Sequence, residues 1–122
     1  MRASKVVSVV AMSLGAVGLM VSPASASGSI GALGGGAKVT FTSYGETFEV
    51  CDTAADGHSA VGRLTYYDDT TSYWNPNGAG TCKTWNLSFP EGSRIAYGAC
   101  RGEYGSKSID ATSCQWVYND KA

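Results

Sequence analysis

The sequence contains a single histidine, His58, so any mechanism that uses an imidazole as general base must use this residue. Ser59 follows it and carries a hydroxyl. A serine nucleophile also needs an acid that orients the imidazole and N–H groups that stabilise an oxyanion, and no spacing around His58 indicates either. We therefore expect a solvated turn histidine after Asp56-Gly57, no catalytic residues and no enzyme activity. A small hydrolase centred on His58 remains the alternative.

Metal ligation has little support in the sequence. Asp52 and Asp56-Gly57 resemble the start of a calcium loop, but Ala54 and Arg63 occupy positions 3 and 12, where the EF-hand pattern requires oxygen ligands. Asp68-Asp69 could serve an irregular calcium site, although adjacent acids before two threonines are more typical of a solvated turn. There is no C-x-x-C pair that would indicate zinc or redox chemistry. We expect no metal and no cofactor.

Aromatic residues give the strongest functional signal. Four of them lie within nine positions: Tyr66, Tyr67, Tyr73 and Trp74. If Tyr66 and Tyr67 belong to a regular strand, they point to opposite faces, so at least one is expected to face solvent. Tyr and Trp offer large, stiff, amphipathic contact surfaces, so we predict that these four residues bind a sugar or a protein. The alternative is that they fill the core, as we expect of Phe41, Trp85, Phe89 and Trp116.

The N-terminal segment has the features of a secretory signal peptide. Arg2 and Lys5 precede an apolar run over residues 6–21, which is short for a membrane span and is followed by Ser-Pro and by Ala24-Ser25-Ala26. We predict a signal peptide over residues 1–26, with cleavage after Ala26, and a secreted, extracellular protein. A retained membrane anchor is the alternative, and the small-x-small pattern disfavours it.

Charge excludes two classes of partner. Removing Arg2 and Lys5 with the signal peptide leaves seven basic residues against ten acidic ones, a net charge of about −3. Recognition of nucleic acids and anionic membranes begins with a basic patch, which this sequence lacks. We expect neither partner, and we expect a single-domain monomer, because a chain this short cannot form two cores.

The cysteines predict a disulfide framework. Four cysteines in a small exported domain indicate two disulfides, for which three pairings exist. We favour Cys51 with Cys82 and Cys100 with Cys114, because sequential pairing closes the shorter loops.

Period-two alternation of apolar residues predicts an all-β fold. Six segments show it: 38–42, 47–50, 60–67, 84–89, 94–99 with an extension toward residue 104, and 114–119. Residues 27–37 are too rich in glycine for a strand and are expected to form a flexible arm. Residues 68–81 are expected to form a long loop. The domain over residues 38–122 is therefore predicted to be a small antiparallel β-sandwich or barrel of about six strands with two disulfides.

The segment over residues 49–58, Glu-Val-Cys-Asp-Thr-Ala-Ala-Asp-Gly-His, and the closing Cys-Gln-Trp-Val-Tyr over 114–118 resemble a group of small exported actinobacterial proteins. These carry a V-C-D-x-x-A-D-G segment and two cysteine pairs. The resemblance implies secretion and disulfides and implies no activity.

The predicted size, fold class and disulfide number are also similar to those of secreted α-amylase inhibitors. Their Trp-Arg-Tyr triplet is absent, the nearest analogue is Tyr73-Trp74-Asn75, and the cysteine spacing differs. We predict a secreted, non-catalytic binding module for an extracellular protein or carbohydrate. The alternatives are an inhibitor of an extracellular hydrolase and a structural envelope-associated protein.

Overall fold

The computed structural model describes residues 27–122, and the predicted signal peptide over residues 1–26 lies outside them. The described chain forms nine strands and one short 3-10 helix over Ala111–Ser113. The strands are β1 (Gly28–Gly31), β2 (Ala37–Thr42), β3 (Thr47–Asp52), β4 (Ser59–Tyr66), β5 (Asp69–Asn75), β6 (Cys82–Asn86), β7 (Arg94–Glu103), β8 (Ser108–Ile109) and β9 (Gln115–Lys121). Within residues 27–122 we find no helix with the length and apolar character of a membrane span.

The strands form two antiparallel sheets. Sheet I has the order β1-β2-β3-β6, and sheet II has the order β5-β4-β7-β8, with β9 also paired to β7. Strand β7 spans ten residues, so its first part pairs with β9 and its last part with β8. The predicted all-β, sandwich-like fold with two disulfides is confirmed, with nine strands in place of about six.

The core lies between the sheets and is built mainly by alternate residues of β2, β3, β4 and β7. Sheet I contributes Val39, Phe41, Phe48 and Val50, and sheet II contributes Ala60, Leu64, Ile95, Tyr97 and Ala99. Phe48 contacts Tyr97 edge to face, with ring centroids 6.3 Å apart. The buried Tyr97 hydroxyl donates a hydrogen bond of 2.6 Å to Asp120 Oδ2, so burial and this carboxylate both raise the pKa of Tyr97.

The prediction of a long loop over residues 68–81 is wrong, because Asp69–Asn75 forms β5, the edge strand of sheet II. Threonine, tyrosine and tryptophan favour a pleated surface, and an edge strand tolerates polar residues on both faces. The strand ends at Asn75, whose buried Nδ2 donates to the carbonyls of Val50 and Thr81. The amide side chain of Asn75, a residue of sheet II, therefore connects the loop after β5 to Val50 of sheet I.

The prediction that residues 27–37 form no strand is also wrong. Gly28–Gly31 forms β1, which pairs with β2 through backbone hydrogen bonds that any residue type can supply. A Cβ at position 28 would lie 2.7 Å from the Tyr97 hydroxyl, so any larger residue there would have to displace that side chain. Arg101 Nη1 donates 2.6 Å hydrogen bonds to the carbonyls of Leu33 and Gly35 and so orders the following turn.

The predicted disulfide pairing is confirmed. Cys51 and Cys82 are direct partners across β3 and β6 of sheet I. Cys100 and Cys114 connect the centre of β7 with the residue that precedes β9. Each sheet therefore has one covalent cross-link.

Removal of either disulfide is expected to destabilise the fold by an amount that follows loop length. Cys51 and Cys82 are 31 residues apart and Cys100 and Cys114 are 14 apart. Replacing the first pair with alanine should lower the free energy of unfolding by about 4 kcal/mol, and replacing the second pair should lower it by about 3 kcal/mol. Denaturant unfolding of each double variant measures both values. Unchanged stability in both variants would show that the cross-links contribute nothing.

Candidate functional site

The face of sheet II that points away from sheet I carries the candidate site, and we call it the outer face. Leu64 and Tyr97 point into the core, so alternation places Arg63 on β4 and Gly98 on β7 on the outer face. After Arg94 at its start, the outer positions of β7 hold only small residues: Ala96, Gly98, Cys100 and Gly102. This leaves a shallow trough along the central strand.

Trp116 lies across this trough. It pairs with Gly98, and a Cβ on Gly98 would come within 2.8 Å of Trp116 Cδ2 and 3.0 Å of Cε2. The two atoms that fuse the indole rings therefore lie directly over the glycine. The absence of a side chain at position 98 allows the half-buried indole to pack flat against the sheet.

Trp74 occupies the opposite end of the trough. It pairs with Val61 on the outer face, and its ring lies over Gly102, where a Cβ would be 2.9 Å from Trp74 Cη2. Val61 is fully buried on this face, beside Trp74 and the disulfide-bonded Cys100. The Trp74 ring contacts Tyr104 with centroids 5.9 Å apart and an interplanar angle of 68°.

Two exposed tyrosines border an open cavity at the other end of this face. Tyr118 is 68% exposed, and its ring lies nearly parallel to that of Trp116, with centroids 6.1 Å apart. Tyr67, in the turn between β4 and β5, is 81% exposed. The cavity between them measures about 540 Å³, and its lining includes Thr65, Arg94 and Asn119. Its volume is within the range of small-ligand sites.

Tyr67, one of these two exposed tyrosines, has a left-handed backbone conformation. Tyr67 has a φ of 55°, which is uncommon for a residue other than glycine, asparagine or aspartate. Its ring contacts Tyr66 with centroids 4.5 Å apart. A bulky side chain in this conformation, at the edge of a cavity, is a feature that occurs at ligand sites.

The four predicted binding residues do not form one cluster. Tyr73 points inward, with its ring 5.1 Å from Phe48, and Tyr66 packs partly against the core. Burial raises the pKa of the Tyr73 hydroxyl. Tyr67 and Trp74 lie at opposite ends of the outer face. Neighbours along a strand alternate between faces, which separates the pair 73 and 74.

Four other residues of this face are absent from the binding residues that the sequence predicts: Arg63, Tyr104, Trp116 and Tyr118. The expectation that Trp116 fills the core is wrong, whereas Phe41, Trp85 and Phe89 do pack there. Instead, Val117 packs against the core, and Trp116 therefore faces outward. Gly98 and Gly102 lie on the same face of a predicted strand. Glycines at such positions indicate that a bulky group packs over the strand.

His58 lies apart from this face and is exposed. Its Nδ1 contacts a carboxylate oxygen of Glu103, and the hydrogen bond and charge of Glu103 raise the pKa of His58. Cavities of about 110 Å³ and about 430 Å³ lie beside the imidazole. Among residues 27–122 no hydroxyl is hydrogen-bonded to His58, so the acid and base of a triad are present without an oriented nucleophile.

One group of potential metal ligands occurs in the described part of the chain. Glu49, Cys51 and Cys82 lie within reach of one another, but both sulfurs belong to a disulfide. Neither Cys51 nor Cys82 can therefore bind a metal ion as a thiolate while that bond is intact.

Comparison with protein-family models, with curated proteins and with solved structures finds no significant match to this chain.

A methyl group at position 98 is expected to displace the Trp116 indole. Gly98→Ala should lower the free energy of unfolding by about 1–3 kcal/mol through overpacking and should increase quenching of tryptophan fluorescence by acrylamide. Gly105→Ala is the control, because nothing lies within 4 Å of a Cβ at that position. Equal quenching in both variants would contradict the placement of Trp116 over Gly98.

Proposed function

We propose that this protein is a secreted, non-catalytic module that binds an extracellular carbohydrate through the outer face of sheet II. The observation that carries the proposal is the pair of nearly parallel rings of Trp116 and Tyr118 beside the cavity that Tyr67 borders. The two disulfides are compatible with an extracellular location.

The chemistry of this surface suits a sugar. A pyranose ring has an apolar face of C–H groups, which can pack on an indole or phenol ring, and an edge of hydroxyls, which need hydrogen-bonding partners. Trp116 and Tyr118 supply the flat apolar surface. Thr65 and Asn119 in the cavity wall supply polar groups at its border. Successive outward residues of a strand are about 6.7 Å apart, so their rings can contact neighbouring units of a glycan chain.

The alternatives that the sequence leaves open have weaker geometric support. An inhibitor that acted through Tyr73-Trp74-Asn75 would need that triplet exposed, but Tyr73 points inward and Asn75 is fully buried. A structural role would need no exposed aromatic rings, whereas Tyr67 and Tyr118 are largely open to solvent. A protein-binding surface uses the same residue types, and the experiment below includes it as an outcome.

Binding of the oxidised protein to a panel of soluble and insoluble polysaccharides, followed by calorimetry with oligosaccharides, tests the proposal. Trp116→Ala and Tyr118→Ala are each expected to weaken glycan binding about tenfold or more, because each removes one stacking surface. Tyr44→Ala is the matched control, since Tyr44 is 92% exposed in the turn between β2 and β3 of sheet I.

Unchanged glycan binding in both outer-face variants would refute this surface as the site. Absence of binding to every glycan, together with saturable binding of an extracellular protein that Trp116→Ala abolishes, would replace the carbohydrate with a protein ligand.

A further inference from the structure

Arg63 lies in the middle of the outer face and has no ion-pair partner among residues 27–122. Its neighbours across the strands are Ser72 on β5 and Gly98 on β7, and neither carries a negative charge. Arg63 Nε is the only buried side-chain nitrogen or oxygen without a hydrogen bond among residues 27–122. In the same part of the chain, the ion pairs are those of His58 with Glu103 and of Arg101 with Asp110. Arg63 therefore has no ion-pair partner among these residues, and its side chain is only partly buried.

A partly buried cation without a counterion is unfavourable, because it has lost some hydration and gained no compensating charge. A ligand that brings an anion to Arg63 would supply the missing interaction. Arginine is also weakly hydrated, and its planar fork of N–H donors matches the two oxygens of a carboxylate.

The surroundings of Arg63 are uniformly free of negative charge. Apart from Arg63 and Arg94, the outer positions of β4, β5 and β7 are neutral: Ser59, Val61, Thr65, Thr70, Ser72, Trp74, Ala96, Gly98, Cys100 and Gly102. The cavity next to this row is lined by Arg94 and by no acidic residue. Acidic residues outnumber basic ones by ten to seven over residues 27–122, so the domain as a whole is negatively charged. The outer positions of β4, β5 and β7, in contrast, carry only positive charge.

We propose that the glycan bound by the outer face is a uronic-acid polymer and that Arg63 binds its carboxylates. This inference rests on the proposed carbohydrate-binding function and names its substrate class. The carboxylate of a uronic acid is attached directly to the pyranose ring. A ring stacked on Trp116, which lies over Gly98, can therefore direct that carboxylate sideways toward Arg63, the partner of Gly98 on β4. Arg94 provides a second cation at the cavity for the next carboxylate along the chain.

Calorimetry with oligogalacturonate, alginate oligosaccharides, fully methyl-esterified oligogalacturonate and sulfated dextran tests the inference. The esterified sugar keeps the ring and removes the charge. Wild-type protein should bind the free acids more tightly than the ester, and the difference should shrink at high salt. Arg63→Gln should weaken binding of the free acids about ten- to hundredfold and leave binding of the ester unchanged.

Matched variants separate charge, geometry and folding. Lys38→Gln removes the same charge from an exposed position of sheet I and should bind as the wild type does. Arg63→Lys keeps the charge without the planar fork and should recover only part of the lost affinity. Arg94→Gln changes an exposed residue at the cavity rim and should weaken binding of the free acids even if Arg63→Gln fails to fold.

The outcomes distinguish this inference from the proposed function. Equal binding of free acid and ester, with no effect of Arg63→Gln but loss in Trp116→Ala, would overturn the carboxylate assignment and leave the carbohydrate-binding face intact. Binding of sulfated dextran alone would also overturn it in favour of sulfate esters. Absence of binding to any charged or neutral glycan would overturn both.

Discussion

The structure depends on a constraint in one strand, β7, which must serve two surfaces at once. Its inward residues Ile95, Tyr97 and Ala99 are buried in the core. Its outward residues from Ala96 to Gly102 are all small, so the outer face has a trough over the centre of sheet II. Two indoles, Trp116 and Trp74, lie over the glycines of that trough. The core and the candidate site are thus built on opposite sides of one backbone.

The disulfides allow a small domain to place large aromatic side chains outside its core. A core formed by fewer than a hundred residues is marginal by burial alone, and large aromatic side chains placed on the outside add little to it. The disulfide between Cys100 and Cys114 lies within the trough and fixes the chain two residues before Trp116. The same bond that stabilises sheet II therefore also positions the first ring of the candidate site.

The sequence predicts the parts of the fold that depend on alternation and on cysteine pairing. Strands β2, β3, β4, β7 and β9 each direct alternate residues into the core and show a period of two. It misses β1, whose glycines pair through the backbone alone, and β5, an edge strand with polar residues on both faces. It also cannot decide which of two adjacent apolar residues faces the other sheet. Trp116 and Val117, like Trp74 and Tyr73, are therefore assigned to faces only by the three-dimensional pairing.

The central claim is that ligand binds on the outside of sheet II, and the three tryptophans report on it directly. Trp116 and Trp74 lie on the outer face, while Trp85 packs against the core between the sheets. Nuclear magnetic resonance of the indole N–H groups during titration with an acidic oligosaccharide distinguishes these environments. Ligand on the outer face should produce saturable shifts of the Trp116 and Trp74 signals and leave the Trp85 signal unmoved. A shift confined to Trp85, or binding that leaves all three signals in place, would contradict the claim.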